Sequence, residues 1–519
     1  MNQPYSASTP AAAPRIIARP DHNISRSDIS SNALRVLYRL KDAGFQAFLV
    51  GGAVRDLLLG RHPKDFDIAT NALPDEVRAL FRNCRLVGRR FRLAHVIFGR
   101  EIIEVATFRA ASAPSPEEEA LAEAAARAEE GLDEEAEDTE DAEDAQDSDE
   151  VDAAAEELSA DEDTARLPMP TGLERRAGRR EGLEGVDHER VLDTHGRLLR
   201  DNVYGSIEED VWRRDFTANA LYYNIADFSL WDFVGGAEDI AARRLRLIGD
   251  PETRYREDPV RMLRAARFEA KLGFQLDAGT AAPLPALKRL LVQVPPARLF
   301  DETQKLFLTG HGERSFEVLR AHGLLGELFP AVERYLTAHP GSRIEQLLHQ
   351  GLRNTDERVL VDRPVTPTFL FALLLYGPIA ALIESLPPQR WHELGAIIGA
   401  CERALRDTAA RVSIPRRIAL GVREMYALQP RLEQPRGRRA LRLLEQPRFR
   451  AAFDLLALRA QLGLAPPELA AWWTQLQALS PEARIEHIDA LGTAGSPGYA
   501  GEAGARSGTR RPRRRRRRR

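Results

Sequence analysis

Leu49-Val50-Gly51-Gly52-Ala53-Val54-Arg55-Asp56, followed by Lys64-Asp65-Phe66-Asp67, is the stretch that decides the fold. Ala47-Phe48-Leu49-Val50 is a short apolar run of strand type, Gly51-Gly52 breaks it, and Ala53 to Leu59 reads as a helix ended by Gly60. Paired glycines between a strand and a helix let the backbone approach a phosphate with no Cβ in the way. Their N–H groups, with the helix N-terminus, form an anion-binding hollow. Arg55 adds a positive charge one turn later. Phe66-Asp67-Ile68-Ala69 reads as a second strand, on which Asp65 and Asp67 point to one face. Two carboxylates on one face repel unless a cation sits between them. Oxygen ligands with phosphates nearby favour Mg2+. A lone Gly-Gly is usually a turn, and a lone Asp-x-Asp is usually a solvated loop. In the order strand, glycines, helix, carboxylates they are much more specific.

That combination resembles the head motif of the polymerase-β-type nucleotidyltransferase superfamily. It is similar in particular to the class II branch, which holds bacterial poly(A) polymerases and CCA-adding enzymes. A second segment, Arg213-Arg214-Asp215-Phe216-Thr217-Ala218-Asn219, can be read as a helix start capped by Asp215. It also resembles the branch's Arg-Arg-Asp…Asn motif, which implies that Arg214 holds phosphate and Asn219 bonds the ribose. The third carboxylate beside Asp65 and Asp67 is then either Asp215 or Glu104. Glu104 is an acid within an apolar strand, Ile103-Glu104-Val105, where it needs a metal or arginine partner unless it lies on the solvated face.

A third segment, Arg256-Glu257-Asp258-Pro259-Val260-Arg261, opens a helix, with Asp258 suited to the cap and Pro259 to the first turn. Arg261 falls one turn on, on the side of Asp258. An acceptor beside a donor matches the pairing edges of adenine and cytosine and mismatches guanine and uracil. The segment resembles the branch's Glu-Asp-x-x-Arg base-selecting motif, and its chemistry fits both family activities without choosing between them. Arg264, Arg267 and Lys271 follow on one face of the same helix, which is either merely solvated or meets RNA phosphates. Leu86 to His95 is similar to the segment that distinguishes bacterial poly(A) polymerases. CCA-adding relatives tend to carry a His-Gly-Thr run nearby, whereas His95 here is followed by Val96-Ile97. The resemblance covers roughly Asp21 to Gly273 apart from an insertion.

The rest of the chain sets the frame. The formal net charge of -4 averages an acidic block, roughly Glu117 to Asp163, and an arginine run that ends at Arg519. Without the acidic block the protein is basic, which suits a polyanionic partner. Cys84 and Cys401 are the only cysteines and have no metal-ligand spacing. A disulfide framework and a cysteine zinc site are therefore not expected, and a reducing cytoplasm is. No signal peptide or membrane span is expected. The apolar Phe369–Leu375 run is short and flanked by Pro367 and Pro378, which predicts a buried helix.

The expected organisation is α+β. Residues 1–27 form a flexible leader, and residues 28–236 a nucleotidyltransferase head with a mixed β-sheet. An Ala/Glu/Asp-rich insertion at 111–190 interrupts the head without cutting any motif, and regular patterning returns near Asp201. A helical neck (237–300), a helical body (301–493) and a disordered arginine-rich tail (494–519) follow. Within the head a helix is predicted over Ser31–Asp42, with Ala33, Val36, Leu37 and Leu40 inward, another over Asp75–Phe81, and a hairpin of Ala94–Phe98 and Ile102–Phe108. The resemblance implies a poly(A) polymerase that uses ATP and two Mg2+ ions to add AMP to RNA 3′ ends without a template. It also implies a role in marking RNA for decay, with RNA-decay proteins as partners. A CCA-adding enzyme and a non-catalytic RNA-binding protein are the rival readings, and Asp65 with Asp67 argue against the last.

Overall fold

The computed structural model describes residues 13–88, 92–110, 190–192, 198–201, 204–435 and 437–494. Most of the acidic insertion, the arginine tail, residues 1–12 and residues 89–91 of the Leu86–His95 segment lie outside the described residues. The chain divides into two compact units, Met1–Ala242 with Arg246–Gly249, and Arg243–Leu245 with Asp250–Arg519.

The first unit is built on one mixed sheet. Its strands in chain order are β1 (Arg15–Ile17), β2 (Ala47–Val50), β3 (Asp67–Thr70), β4 (Cys84–Val87), β5 (Leu93–Phe98) and β6 (Glu101–Thr107). A separate hairpin, β7 (Arg190–Leu192) with β8 (Leu198–Asp201), precedes β9 (Leu221–Asn224) and β10 (Leu230–Asp232), which rejoin the main sheet. The order across the sheet is β1-β10-β9-β2-β3-β6-β5-β4. Only the β3–β6 pair is parallel. β2 sits near the middle, and all four of its residues are buried, as an apolar run covered on both faces requires.

Local sequence accounts for the helices around it. Ser30 caps α1 (Ser31–Asp42) by accepting from the Asn32 and Ala33 N–H groups, and Ala33, Val36, Leu37 and Leu40 are its buried residues. α2 (Gly52–Leu58) follows β2 directly, and Pro74 opens α3 (Pro74–Leu80). Ser206 and Glu209 form a capping box at the start of α4 (Ile207–Arg213). Ile207 and Val211 of α4 join Phe48, Val50, Ala69, Phe108, Ala220 and Tyr222 in one buried cluster against the sheet.

The structure corrects the sequence reading in three places. The leader is not flexible throughout, because Arg15–Ile17 pairs with Asp232–Leu230 as the edge strand and Arg15 bonds Glu238 at 2.7 Å. The pair Ile16-Ile17 favours that extended conformation. Strand β3 begins at Asp67, so Asp65 lies in the preceding loop. Residues 84–87 form a fourth strand that local pattern did not reveal.

The second unit is nearly all helical. α6 (Pro251–Glu257) leads into α7 (Val260–Leu272), which ends at Gly273 in the left-handed conformation, φ 71°; α5 (Gly236–Ala241) belongs to the first unit. α7 packs on α8 (Pro296–Phe307) and α9 (Gly312–Ala321). Farther along, Leu428, Leu432, Phe453, Leu456 and Trp473 form a second buried cluster, where the Trp473 indole donates to the Leu432 carbonyl at 2.9 Å. The buried helix expected at Phe369–Leu375 is Pro367–Leu374, with Leu370 to Leu374 at most 1% exposed. No single helix among the described residues is long and apolar enough to cross a membrane; this helix and Tyr376–Glu384 reach that length only together, with a 44° bend.

Candidate active site

Strand register assembles the site. Val50 is paired with Asp67, Asp67 with Glu104, and Glu104 with His95, so four neighbouring strands contribute one row. Directly paired residues share a face of a sheet. Asp67 and Glu104 therefore stand side by side, and the imidazole of His95 comes within 3.7 Å of the Glu104 carboxylate. Asp67 is open to solvent at its rim but backed by protein on its other sides. That burial, with the charge of Glu104, pushes its pKa from the ordinary 3.8 up to about 6; Arg214 opposes the rise and Asp65 adds to it. Three carboxylates thus converge on one spot, where a cation would relieve their repulsion.

Gly51 supplies the other wall. Its φ of 70° and ψ of -139° belong to glycine. A Cβ there would lie 3.6 Å from Asp67 Oδ2 and 3.8 Å from Arg214 Nη1, so the turn passes between the acid and the guanidinium. Arg214 is anchored from behind: Nε donates to the Tyr222 hydroxyl at 2.8 Å and Nη2 to Asp210 Oδ2 at 3.0 Å. Burial works against its charge, but Tyr222 and Asp210 outweigh this and raise its pKa. The Asp215 carboxylate accepts from the Phe216 N–H at 2.8 Å and the Asn219 amide at 3.3 Å. It steadies Asn219, while Glu104 is the acid in register with Asp67.

Arg55 takes a different place from the one expected. It is 2% exposed, donates to Asn219 Oδ1 at 2.5 Å and bonds Asp56 at 2.8 Å. Asn219 thus sits between Arg55 and Asp215. The Asn219 turn is held in its own right. Gly236 lies so close to it that a Cβ would meet the Thr217 carbonyl at 2.2 Å, and Asp239 accepts from the Thr217 hydroxyl at 2.7 Å.

Residues 47–246 match the model of the poly A polymerase head domain. Residues 273–336 match that of the probable RNA and SrmB-binding site of polymerase A, and residues 389–519 that of the polymerase A arginine-rich C-terminus. The poly(A) polymerase I of Salmonella typhi is 44% identical over 90% of this chain and 86% of its own. The chain belongs to the poly(A) polymerase family of nucleotidyltransferases. A CCA-adding enzyme of Bacillus pumilus is 31% identical over 59% of this chain and 56% of its own. Among solved structures, a tRNA-processing enzyme in an apo form is 19% identical with a TM-score of 0.51, covering 90% of this chain and 97% of that one. It is similar in fold.

In this poly(A) polymerase family member the segment 256–261, expected from sequence to select the base, lies in the second unit. Asp258 Oδ1 accepts from the Val260 N–H at 3.2 Å, and its Oδ2 bonds Arg298 at 3.0 Å. Arg261 donates to the Arg254 carbonyl at 2.8 Å and to Glu257 at 3.0 Å. Acceptor and donor are thus each fixed by a separate partner, and neither neutralises the other. The basic face beyond is narrower than its spacing suggested. Arg267 is withdrawn into a pair with Glu302 at 2.5 Å, with side chains 12% and 4% exposed, because α8 packs against this side of α7. Arg264 and Arg267 both lie against the Phe268 ring, at 5.6 and 4.5 Å, and Lys271 is exposed. Sequence reasoning missed Tyr222 and Arg298. A tyrosine in a buried strand, eight residues after an arginine pair, was the available signal for the first; nothing local marked the second.

Proposed function

We propose that the enzyme adds AMP from ATP to RNA 3′ ends without a template. The observation that carries the reading is the pairing of Asp67 with Glu104 across β3 and β6, with Asp65 beside them and Gly51 and Arg214 opposite. Glu104, rather than Asp215, is the third carboxylate. The donors are all oxygens and mutually repulsive, which fits Mg2+. Asp65, Asp67 and Glu104 would hold it, two ions in all. When bound, the metal supplies positive charge that lowers the pKa of the RNA 3′-hydroxyl and neutralises the triphosphate.

The protein's own part is positioning. Backbone at Gly51 and the Arg214 guanidinium receive the triphosphate, and Asn219, braced by Arg55 and Asp215, bonds the ribose. Asp258 accepts from the adenine amino group, and Arg261 donates to N1. The RNA 3′-oxygen attacks the α-phosphorus in line, a P–O bond forms, and pyrophosphate leaves. Residues 273–336, which match a probable RNA-binding region, and the arginine-rich tail would hold the RNA, and an RNA-decay protein would be a further partner. The free thiols of Cys84 and Cys401 suit a reducing cytoplasm.

Asp67→Ala tests the reading. Nucleotide addition should vanish while circular dichroism and RNA affinity stay normal. Near-normal addition by a folded variant would remove the carboxylates from the chemistry.

A further inference from the structure

Tyr222 and Asp210 have no part in the scheme above, yet both touch Arg214. Tyr222 is fully buried on β9, its ring set edge-on against Phe48 and Phe233. A phenol so placed has to find partners for its hydroxyl. It donates to Asp210 Oδ2 at 2.5 Å and accepts from Arg214 Nε at 2.8 Å. The same Asp210 oxygen accepts from Arg214 Nη2 at 3.0 Å, and the Tyr222 ring lies 4.9 Å from the guanidinium carbon. The Nε–Nη2 edge of Arg214 is therefore fixed from two elements, α4 and β9. Nη1 is the end turned toward the Asn219 carbonyl, at 3.4 Å, and the space beside Gly51. Burial and Asp210 both raise the phenol's pKa, overcoming the pull of Arg214, so the hydroxyl keeps its proton to donate.

An arginine side chain left to itself samples many rotamers, and ordering it costs binding free energy. We propose that Tyr222 and Asp210 are positioning residues that hold Arg214 in the orientation that receives the nucleotide's triphosphate, with the Tyr222 hydroxyl as the latch. This rests on the reading of Arg214 as the phosphate-holding residue. The latch bears on ATP through Arg214, and Asp67 feels it through the charge of that same guanidinium.

Steady-state kinetics of the full chain with Tyr222→Phe, Asp210→Asn, Arg214→Ala and the Tyr222→Phe/Arg214→Ala double variant test this, with melting temperature followed in parallel. Tyr222→Phe keeps the ring and its packing. It should raise KM for ATP about ten- to hundredfold, the weight of one hydrogen bond to a charged group, and change kcat by less than about twofold. KM for RNA should not move. Asp210→Asn, of equal size, should shift KM for ATP in the same direction and gives an independent readout. In the Arg214→Ala background the Phe substitution should add nothing, since its target is gone. An unchanged KM for ATP in folded Tyr222→Phe, or an equal further rise in the Arg214→Ala background, would reduce Tyr222 to a packing residue. Arg214→Ala with an unchanged KM for ATP would instead overturn the phosphate role of Arg214, and the latch with it.

Discussion

Asp67→Asn is expected to silence the enzyme and, without metal, to stabilise it. Burial and the charge of Glu104 raise the Asp67 pKa from 3.8 to about 6, so the ionised acid is a cost to the fold. Two pKa units correspond to about 3 kcal/mol. Asp67 is exposed at its rim, and solvent screening reduces this to about 1 kcal/mol. The sign follows from linkage. Above pH 6 the native protein carries the full cost. As pH falls through 6 the native carboxylate takes up a proton before the unfolded one does, and the cost fades toward pH 4. In EDTA at pH 8 the Asn variant should therefore melt about 2–4 °C higher than the parent. The gap should narrow by pH 5, and millimolar Mg2+ at pH 8 should raise the parent's melting temperature more than the variant's. A variant no more stable at pH 8, or a gap that stays constant down to pH 5, would refute the idea that burial and the charge of Glu104 make the ionised Asp67 costly until a cation binds.

Three further outcomes follow from arginines whose partners the structure identifies. Arg55→Met should cost about 3 kcal/mol in urea denaturation, because it leaves Asp56 and Asn219 without their buried partner, and it should also raise KM for ATP. Arg267→Ala should cost about 3 kcal/mol of stability by stranding Glu302. It should leave the salt dependence of RNA affinity unchanged; a flattened salt slope would restore Arg267 to the RNA face. Arg261→Ala should lower ATP use and blur the preference against UTP, read as a ratio of kcat/KM values, and an untouched ratio would leave Asp258 and Arg261 as a helix cap with a neighbouring charge.

The parts of the fold that could be read from sequence were those dictated by near neighbours. Ala33, Val36, Leu37 and Leu40 recur at helical spacing and are the buried face of α1. The break at Gly51-Gly52 and the turn at Gly99-Arg100 fall where the strands stop. Arg15–Ile17 and Cys84–Val87 were illegible as strands because a charged residue stands in each short run, unlike the wholly apolar Ala47–Val50; the partner of Arg15–Ile17 also lies far away in sequence, at Leu230–Asp232. The same holds for the site. Residue spacing pointed to Asp65 and Asp67, and the family resemblance to Arg214 and Asn219, whereas the proposed preference for Glu104 over Asp215 rests on strand register, which no local pattern carries. The position of Arg55 one turn after the glycines, and of Arg267 on a basic helix face, suggests contact with phosphate, yet both are drawn into internal pairs. Their acceptors lie 164 and 35 residues away, and no local pattern announces such a pair.

The central claim is tested most directly by incubating the full chain with Mg2+ and an RNA oligonucleotide bearing a free 3′-hydroxyl, supplying each nucleoside triphosphate separately, and resolving product lengths on a gel. ATP alone should give a ladder that lengthens with time, with little extension from CTP, GTP or UTP. Addition from CTP, or extension that stops after one adenylate whatever the time, would contradict poly(A) synthesis.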